Sequence, residues 1–185
     1  GTNPIFNQLT DWFVCDDIAN DGSELFDLNV KIDEVSEGTT EALDVTFYTT
    51  LSDAENGTNV LPIQYANTVN PQTIFVVIDN GTICNSITSF ELNVIQVPEV
   101  NLSVPIIMCD DNYDGIVEFD ITQSEFEILD VRQDNITVTY FETMDDLEAD
   151  INAIQNPSDY NNISNPQTVF IKVNNTISNC YAAVP

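Results

Sequence analysis

Histidine is absent from this 185-residue chain. Its absence removes the commonest general base and the commonest transition-metal ligand, and so counts against hydrolase and zinc chemistry. Basic residues are nearly as scarce: Lys31, Arg132 and Lys172 stand against 31 Asp and Glu, for a formal net charge of -28. With almost nothing to neutralise phosphates, nucleic acid and anionic membrane are excluded as partners, and a divalent cation is the natural counter-charge. Long hydrophobic runs are missing too. No stretch reaches the ~20 apolar residues of a membrane-spanning helix, so direct membrane insertion is not expected. No signal peptide opens the chain, and Gly1 is read as the start of an excised piece. Apolar residues as such are not lacking: at 43% of the chain they rule out wholesale disorder despite the charge.

What is present is present twice. CDDIANDGSELFD at 15–27 is answered by CDDNYDGIVEFD at 109–120, and NPQTIFVVIDN from Asn70 by NPQTVFIKVNN from Asn165. The offsets are 94 for Cys15 to Cys109, 93 for Phe47 to Tyr140, 95 for Asn70 to Asn165 and 96 for Cys84 to Cys180. A near-constant offset drifting by single insertions means two tandem copies of one small domain, with the boundary at Val97–Pro98: residues 1–97 and 98–185. Repeats of this size belong to strings of surface domains more often than to enzymes.

The four cysteines fall two per copy at matching places. Four allow three pairings, and repeat logic selects Cys15 with Cys84 and Cys109 with Cys180. Each bond would close a loop worth about 4 kcal/mol in the chain-entropy model and would imply an oxidising compartment.

Short β-branched and aromatic runs separated by Asn, Gly, Asp and Pro predict an all-β architecture of two tandem Ig-like β-sandwiches. Strands are expected at 12–14, 25–28, 43–48, 73–78 and 90–97, and in the second copy at 104–108, 117–121, 136–141 and 168–173. Helical turns are expected from capping boxes beginning at Ser52, Thr122 and Asp145. After Cys84 the first copy continues as NSITSFELNVIQV, whereas Cys180 is followed only by YAAVP. The second domain is therefore expected to lack its last strand and to leave 168–173 at a sheet edge.

The acidic loop after each first cysteine is the candidate site. Asp110, Asn112 and Asp114 before Gly115 match the first half of an EF-hand loop, whose alternate oxygens suit a hard cation; with Ile121 where the closing Glu belongs, a true hand is out. The first copy offers Asp16, Asp17, Asn20 and Asp21 before Gly22, with Asp27 in the place of Asp120. The expected calcium ligands are Asp17, Asp21, Asp27, Asp111, Asp114 and Asp120, supported by Asp16, Asn20, Asp110 and Asn112. Magnesium, with its stricter octahedral demand, fits less well. The competing reading is ordinary acidic turns.

Other constellations are weaker. The sequons at Asn56, Asn80, Asn101, Asn135 and Asn162 are what an Asn-rich chain produces by chance. Trp12, Tyr48, Tyr65, Tyr140 and Tyr160 could stack on sugar, but Tyr65 and Tyr160, each five residues before NPQT, read better as structural anchors with hydroxyls bonded to backbone. No nucleophile-base pair or phosphate-binding glycine loop is readable, so the chain is expected not to be an enzyme.

The CDD…DG…FD entry, the VTFY/VTYF strand with its acidic turn, NPQT[IV]F and the second cysteine together resemble the tandem extracellular repeats of large Bacteroidota surface proteins. These include the gliding-motility adhesin type carried by type IX secretion. The resemblance implies a spacer module of a cell-surface adhesin filament used in attachment or gliding. Its partners would be neighbouring repeats of the same chain and surface polysaccharide, and its location the extracellular face of a bacterium. A carbohydrate-binding module, or an accessory pair beside a catalytic domain, stands as the alternative.

Overall fold

Alternation of apolar and polar residues builds the strands of the first unit, Gly1–Ile95. Its order is β1 (Trp12–Cys15), β2 (Leu25–Asp27), α1 (Asn29–Ser36), β3 (Asp44–Tyr48), α2 (Leu51–Asn56), β4 (Gln64–Ala66), β5 (Gln72–Asp79) and β6 (Asn85–Ile95). A four-stranded sheet runs β1-β6-β5-β3 beside a separate β2-β4 pair. All neighbours are antiparallel except β1 and β6, which lie parallel from Trp12 opposite Leu92 to Cys15 opposite Ile95. Ile74, Val76 and Ile78 of β5 share one core with Phe26 of β2, Tyr65 of β4 and Phe90, Leu92 and Val94 of β6, so both sheets bury the same side chains. Each such burial is worth ~1.5–3 kcal/mol before the entropy of ordering. The opposite face of the large sheet is covered locally by α2, where Ala54 packs with Tyr48 and Val77.

The structure is a computed structural model that describes residues 1–129 and 133–185; Arg132 lies outside the described residues. The second unit, Gln96–Pro185, begins two residues before the boundary expected at Pro98. Its order is β7 (Glu118–Phe119), a 3-10 turn (Ile121–Ser124), α3 (Glu125–Ile128), β8 (Ile136–Phe141), α4 (Met144–Ala149), β9 (Tyr160–Asn161), β10 (Phe170–Asn175) and β11 (Tyr181–Val184). The sheets are β11-β10-β8 and β7-β9, over a core that includes Ile128, Tyr140, Ile171, Val173 and Val184. Both units are thus rich in sheet with few short helices, and no described helix is long and apolar enough to cross a membrane.

Two expectations for the second unit need correction. The last strand is not missing: residues 181–184 form β11, which pairs with β10 from Val184 opposite Ile171 to Tyr181 opposite Asn174. Four residues suffice because Ala182 and Val184 alternate inward. Phe170–Asn175 is accordingly the middle strand of three, not an edge. Residues 104–108, by contrast, form no strand. Their counterpart β1 pairs with the far half of β6, whereas β11 corresponds only to the near half, so no strand stands beside 104–108 to receive hydrogen bonds.

The helices differ in detail from the sequence reading. Helix α1 was not foreseen; Leu28, Lys31 and Val35 all turn toward the core. The Lys31 ammonium is satisfied there by Glu34 Oε2 at 2.6 Å and the Thr10 carbonyl at 2.7 Å, and lies 4.9 Å from the Phe90 ring centre. The caps of α2 and α4 are Thr50 and Thr143, not residues within the boxes expected from Ser52 and Asp145. Each threonine accepts from the third-residue amide, Asp53 or Asp146, and its hydroxyl donates back to that aspartate's carboxylate. The 3-10 turn is capped by Asp120, which accepts from the Thr122 amide at 3.0 Å, so Thr122 is not the cap either. In α4's shadow, Lys172 takes the place of Val77 and donates to Asp150 at 3.0 Å.

Candidate functional site: the acidic loops and the cysteines

Each acidic loop is shaped by its first aspartate. Asp16, buried, accepts from the Gly22 amide at 2.7 Å and from the Asp17 amide at 2.9 Å. Asp110 accepts from Gly115 at 2.7 Å, Tyr113 at 2.8 Å and Asn112 at 3.1 Å. The Gly115 amide above all holds the Asp110 carboxyl below the usual aspartate range. Both glycines sit at positive φ, 77° and 80°, which lets the chain reverse and aim its N–H back at the carboxylate.

An asparagine and a glutamine fasten each loop to the next strands. Asn67 donates to the carbonyls of Gly22 and Val69 and accepts from the Glu24 amide; Asn162 donates to Gly115 and Ser164 and accepts from Val117. The Gln72 amide meets the Tyr65 hydroxyl at 2.9 Å, and Gln167 donates to that of Tyr160 at 2.6 Å. The tyrosines are anchors, but their partners are side chains and not backbone: the glutamine of NPQT in both copies, and for Tyr160 also Glu142, to which its hydroxyl donates at 3.0 Å. Both Asn–Pro peptides of that motif, 70–71 and 165–166, are cis. The repeated entry and NPQT motifs therefore form one hydrogen-bonded latch, present twice.

Of the expected calcium ligands, the fold gathers few. Asp16 and Asp17 come together with Glu24, their carboxylate oxygens within 4.8 Å of one another, in a group that Asp21 and Asp27 do not join; Asn20 lies in the same turn, its amide donating to the Asp17 carbonyl at 3.1 Å. Asp21 and Asp27 instead accept local amides, from Ser23 and Asn29. Among the described residues no comparable acidic group forms around Asp110, Asp111, Asp114 and Asp120. There Asn112 donates to Asp114 at 2.8 Å, while Asp114 also accepts from Ile116. Glu24 was missed because Val117 holds its place in the second copy, so repetition gave no signal. The aromatic platform does not form: Tyr48, Tyr65, Tyr140 and Tyr160 are buried, and Trp12 packs edge-on against Phe26 at 5.1 Å.

The second unit carries a half-open pocket of about 500 Å³, lined by Ile106, Phe119, Tyr140, Tyr160, Val169 and Ile171 among others. The hydroxyl of Tyr140 donates to Glu125 at 2.7 Å, and burial, reinforced by that carboxylate, pushes the phenol well above its ordinary value. A phenol held protonated in this way is a hydrogen-bond donor and not a base.

The cysteines overturn the pairing expected from repetition. Cys15 and Cys180 are disulfide-bonded, whereas Cys84 and Cys109 are free thiols. The bonds Cys15–Cys84 and Cys109–Cys180 therefore do not form. The reason is strand geometry: Cys15 lies opposite Ile95 at the far end of β6, while Cys84 immediately precedes Asn85 at its start. At ~3.3 Å per residue the strand separates them by roughly 30 Å, several times the span of a disulfide.

Residues 11–98 and 105–185 each match one family, described as the Flavobacterium inter-domain disulphide bond domain. Two tandem copies of it fit a Bacteroidota protein. No curated protein matches the chain.

Proposed function

The chain belongs to the Flavobacterium inter-domain disulphide bond domain family, and from that premise we propose that it is a non-enzymatic structural module in which a bond between Cys15 and Cys180 locks tandem domains in one orientation. The observation that carries this reading is the division of four matching cysteines into two bonded and two free. Had each domain needed its own staple, all four would be used. A disulfide-bonded chain belongs to an oxidising, non-cytoplasmic compartment. The module's place is the bacterial cell surface, as a spacer in an adhesin filament that serves attachment or gliding. The tandem copies support it, as does an acidic surface on which both described lysines are already engaged. The sharing of one core by a large and a small sheet supports an Ig-like sandwich for each domain.

Calcium is a second reading, supported by the approach of Asp16, Asp17 and Glu24 within a chain of net charge -28. In this reading the cation relieves repulsion and stiffens the loop that follows Cys15.

The locking role is tested by residual dipolar couplings measured on the oxidised and the reduced chain. Oxidised, the two domains should share one alignment tensor; reduced, the tensors should diverge while each domain keeps its own fold. Identical tensors in both states would contradict a disulfide lock.

A further inference from the structure

The half-open pocket of the second unit has a counterpart in the first unit, where a strand fills it. There the far half of β6 pairs antiparallel with residues 72–74 of β5 through residues 90–92, and parallel with β1 through residues 92–95. Phe90, Leu92 and Val94 alternate inward and are buried. Beyond the start of β5 a side chain takes over the pairing. The Asn70 amide donates to the Val94 carbonyl at 2.8 Å, and its oxygen accepts from the Val94 N–H at 2.9 Å. Asn70 thus bonds Val94 as a neighbouring strand residue would.

The second unit keeps both flanks of this arrangement without the strand between them. Strand β11 answers only residues 85–88 of β6. Residues 104–108 and 167–169, the repeat equivalents of 10–14 and 72–74, form no strand, and both segments line the pocket of about 500 Å³. Asn165, the equivalent of Asn70, lines it as well; its side chain is exposed and has no Val94 among the described residues to clamp. The apolar wall stands open in consequence. Val169 is partly exposed where Ile74 is fully buried, and Met108 is half-exposed where Val14 packs against the core.

We infer that this pocket is an acceptor slot for one extended segment of a partner polypeptide, added to the second unit as a β-strand. The segment lies antiparallel to 167–169 and parallel to 104–108. Its side chains at the places of Phe90, Leu92 and Val94 are apolar and fill the pocket, while those between are polar and face outward. At the place of Val94 its N–H and C=O meet the Asn165 amide. A helix fails at this contact, because its N–H and C=O groups are spent on one another along its axis. Within the described chain the matching segment, residues 90–95, is already built into the first unit, so the occupant comes from a partner and not from this chain or a second copy of it.

The probe is a synthetic peptide of residues 88–97, TSFELNVIQV, added at millimolar concentration to the whole oxidised chain labelled with ¹⁵N. Amide shifts and hydrogen exchange are read residue by residue. The expected result is one peptide bound per chain, with shifts confined to the pocket lining of the second unit and exchange slowed at 167–169. Asn165→Ala should weaken binding about tenfold, the effect of losing two backbone hydrogen bonds. N-methylation of the peptide at its Val94 should weaken it as much; if Asn165→Ala unfolds the second unit, this peptide alone decides. A peptide of the same composition with its alternation scrambled should not bind. The inference is overturned by absence of binding at millimolar peptide, by shifts in the first unit in place of the second, by equal binding of the scrambled peptide, or by undiminished binding of the N-methylated one. It is also overturned if the free chain sediments as a dimer whose slow exchange at 167–169 is abolished by dilution, since a second copy would then hold the slot.

Discussion

Replacing the four cysteines by serine, one at a time, should split them into two classes. Cys15→Ser and Cys180→Ser each remove the same bond and should lower stability equally; Cys84→Ser and Cys109→Ser remove none and should be nearly silent. The magnitude follows from the segments constrained. With a Cys15–Cys180 bond in place, an unfolded first domain, about 80 residues from Cys15 to the boundary, must still begin and end on the second. Closing such a loop is worth up to about 4 kcal/mol in the chain-entropy model. Part of that is offset, because the linker already keeps the reduced domains close. A loss of about 2–4 kcal/mol is expected, and for a domain of ~90 residues it lowers Tm by ~8–32 °C at the usual 4–8 °C per kcal/mol. Scanning calorimetry of the four variants, with reductant added to the unmodified chain as a control, measures this directly. A Cys84→Ser loss equal to that of Cys15→Ser, or an oxidised chain that melts like the reduced one, would refute the reasoning.

Other outcomes follow from the latch and the loops. Asn67→Ala leaves the Gly22 and Val69 carbonyls and the Glu24 amide without their partner; a loss of about 2–3 kcal/mol is expected by urea unfolding, with Asn162→Ala similar in the second domain. The Asp110 carboxyl titrates lower folded than unfolded, so its contribution is full above the unfolded value near 3.8 and is lost as pH falls through the lower folded value. Asp110→Asn should flatten that acid limb, and carboxyl NMR titration should show the depressed midpoint directly. If calcium occupies the first loop, melting should rise in millimolar calcium relative to chelator, by ~2.7 kcal/mol at one hundred times Kd. Asp17→Asn with Glu24→Gln should cancel the shift. No calcium shift in the unmodified chain would leave these residues as acidic turns.

The strands were legible because period-2 alternation and turn residues act locally: 73–78 and 136–141 lie within β5 and β8 as expected. What lay beyond reading were relations between distant residues. Repetition says which cysteines are alike, not which are near, and the length of β6 decides that Cys15 and Cys84 cannot meet. The same holds for the acidic loops. Asp16 and Asp110 recur because a backward-pointing glycine amide needs a carboxylate, a requirement that sequence alone cannot tell from metal ligation. Helix α1 escaped notice because Lys31, the residue that completes its buried stripe, is charged and finds its partners in Thr10 and Glu34 only once folded.

The most direct measurement of the central claim is proteolysis of the oxidised, thiol-blocked chain under non-reducing conditions, with mass spectrometry of the cross-linked peptides. The account predicts one disulfide peptide joining the segments that contain Cys15 and Cys180, with Cys84 and Cys109 recovered as blocked thiols. A peptide joining Cys15 to Cys84, or Cys109 to Cys180, would contradict it.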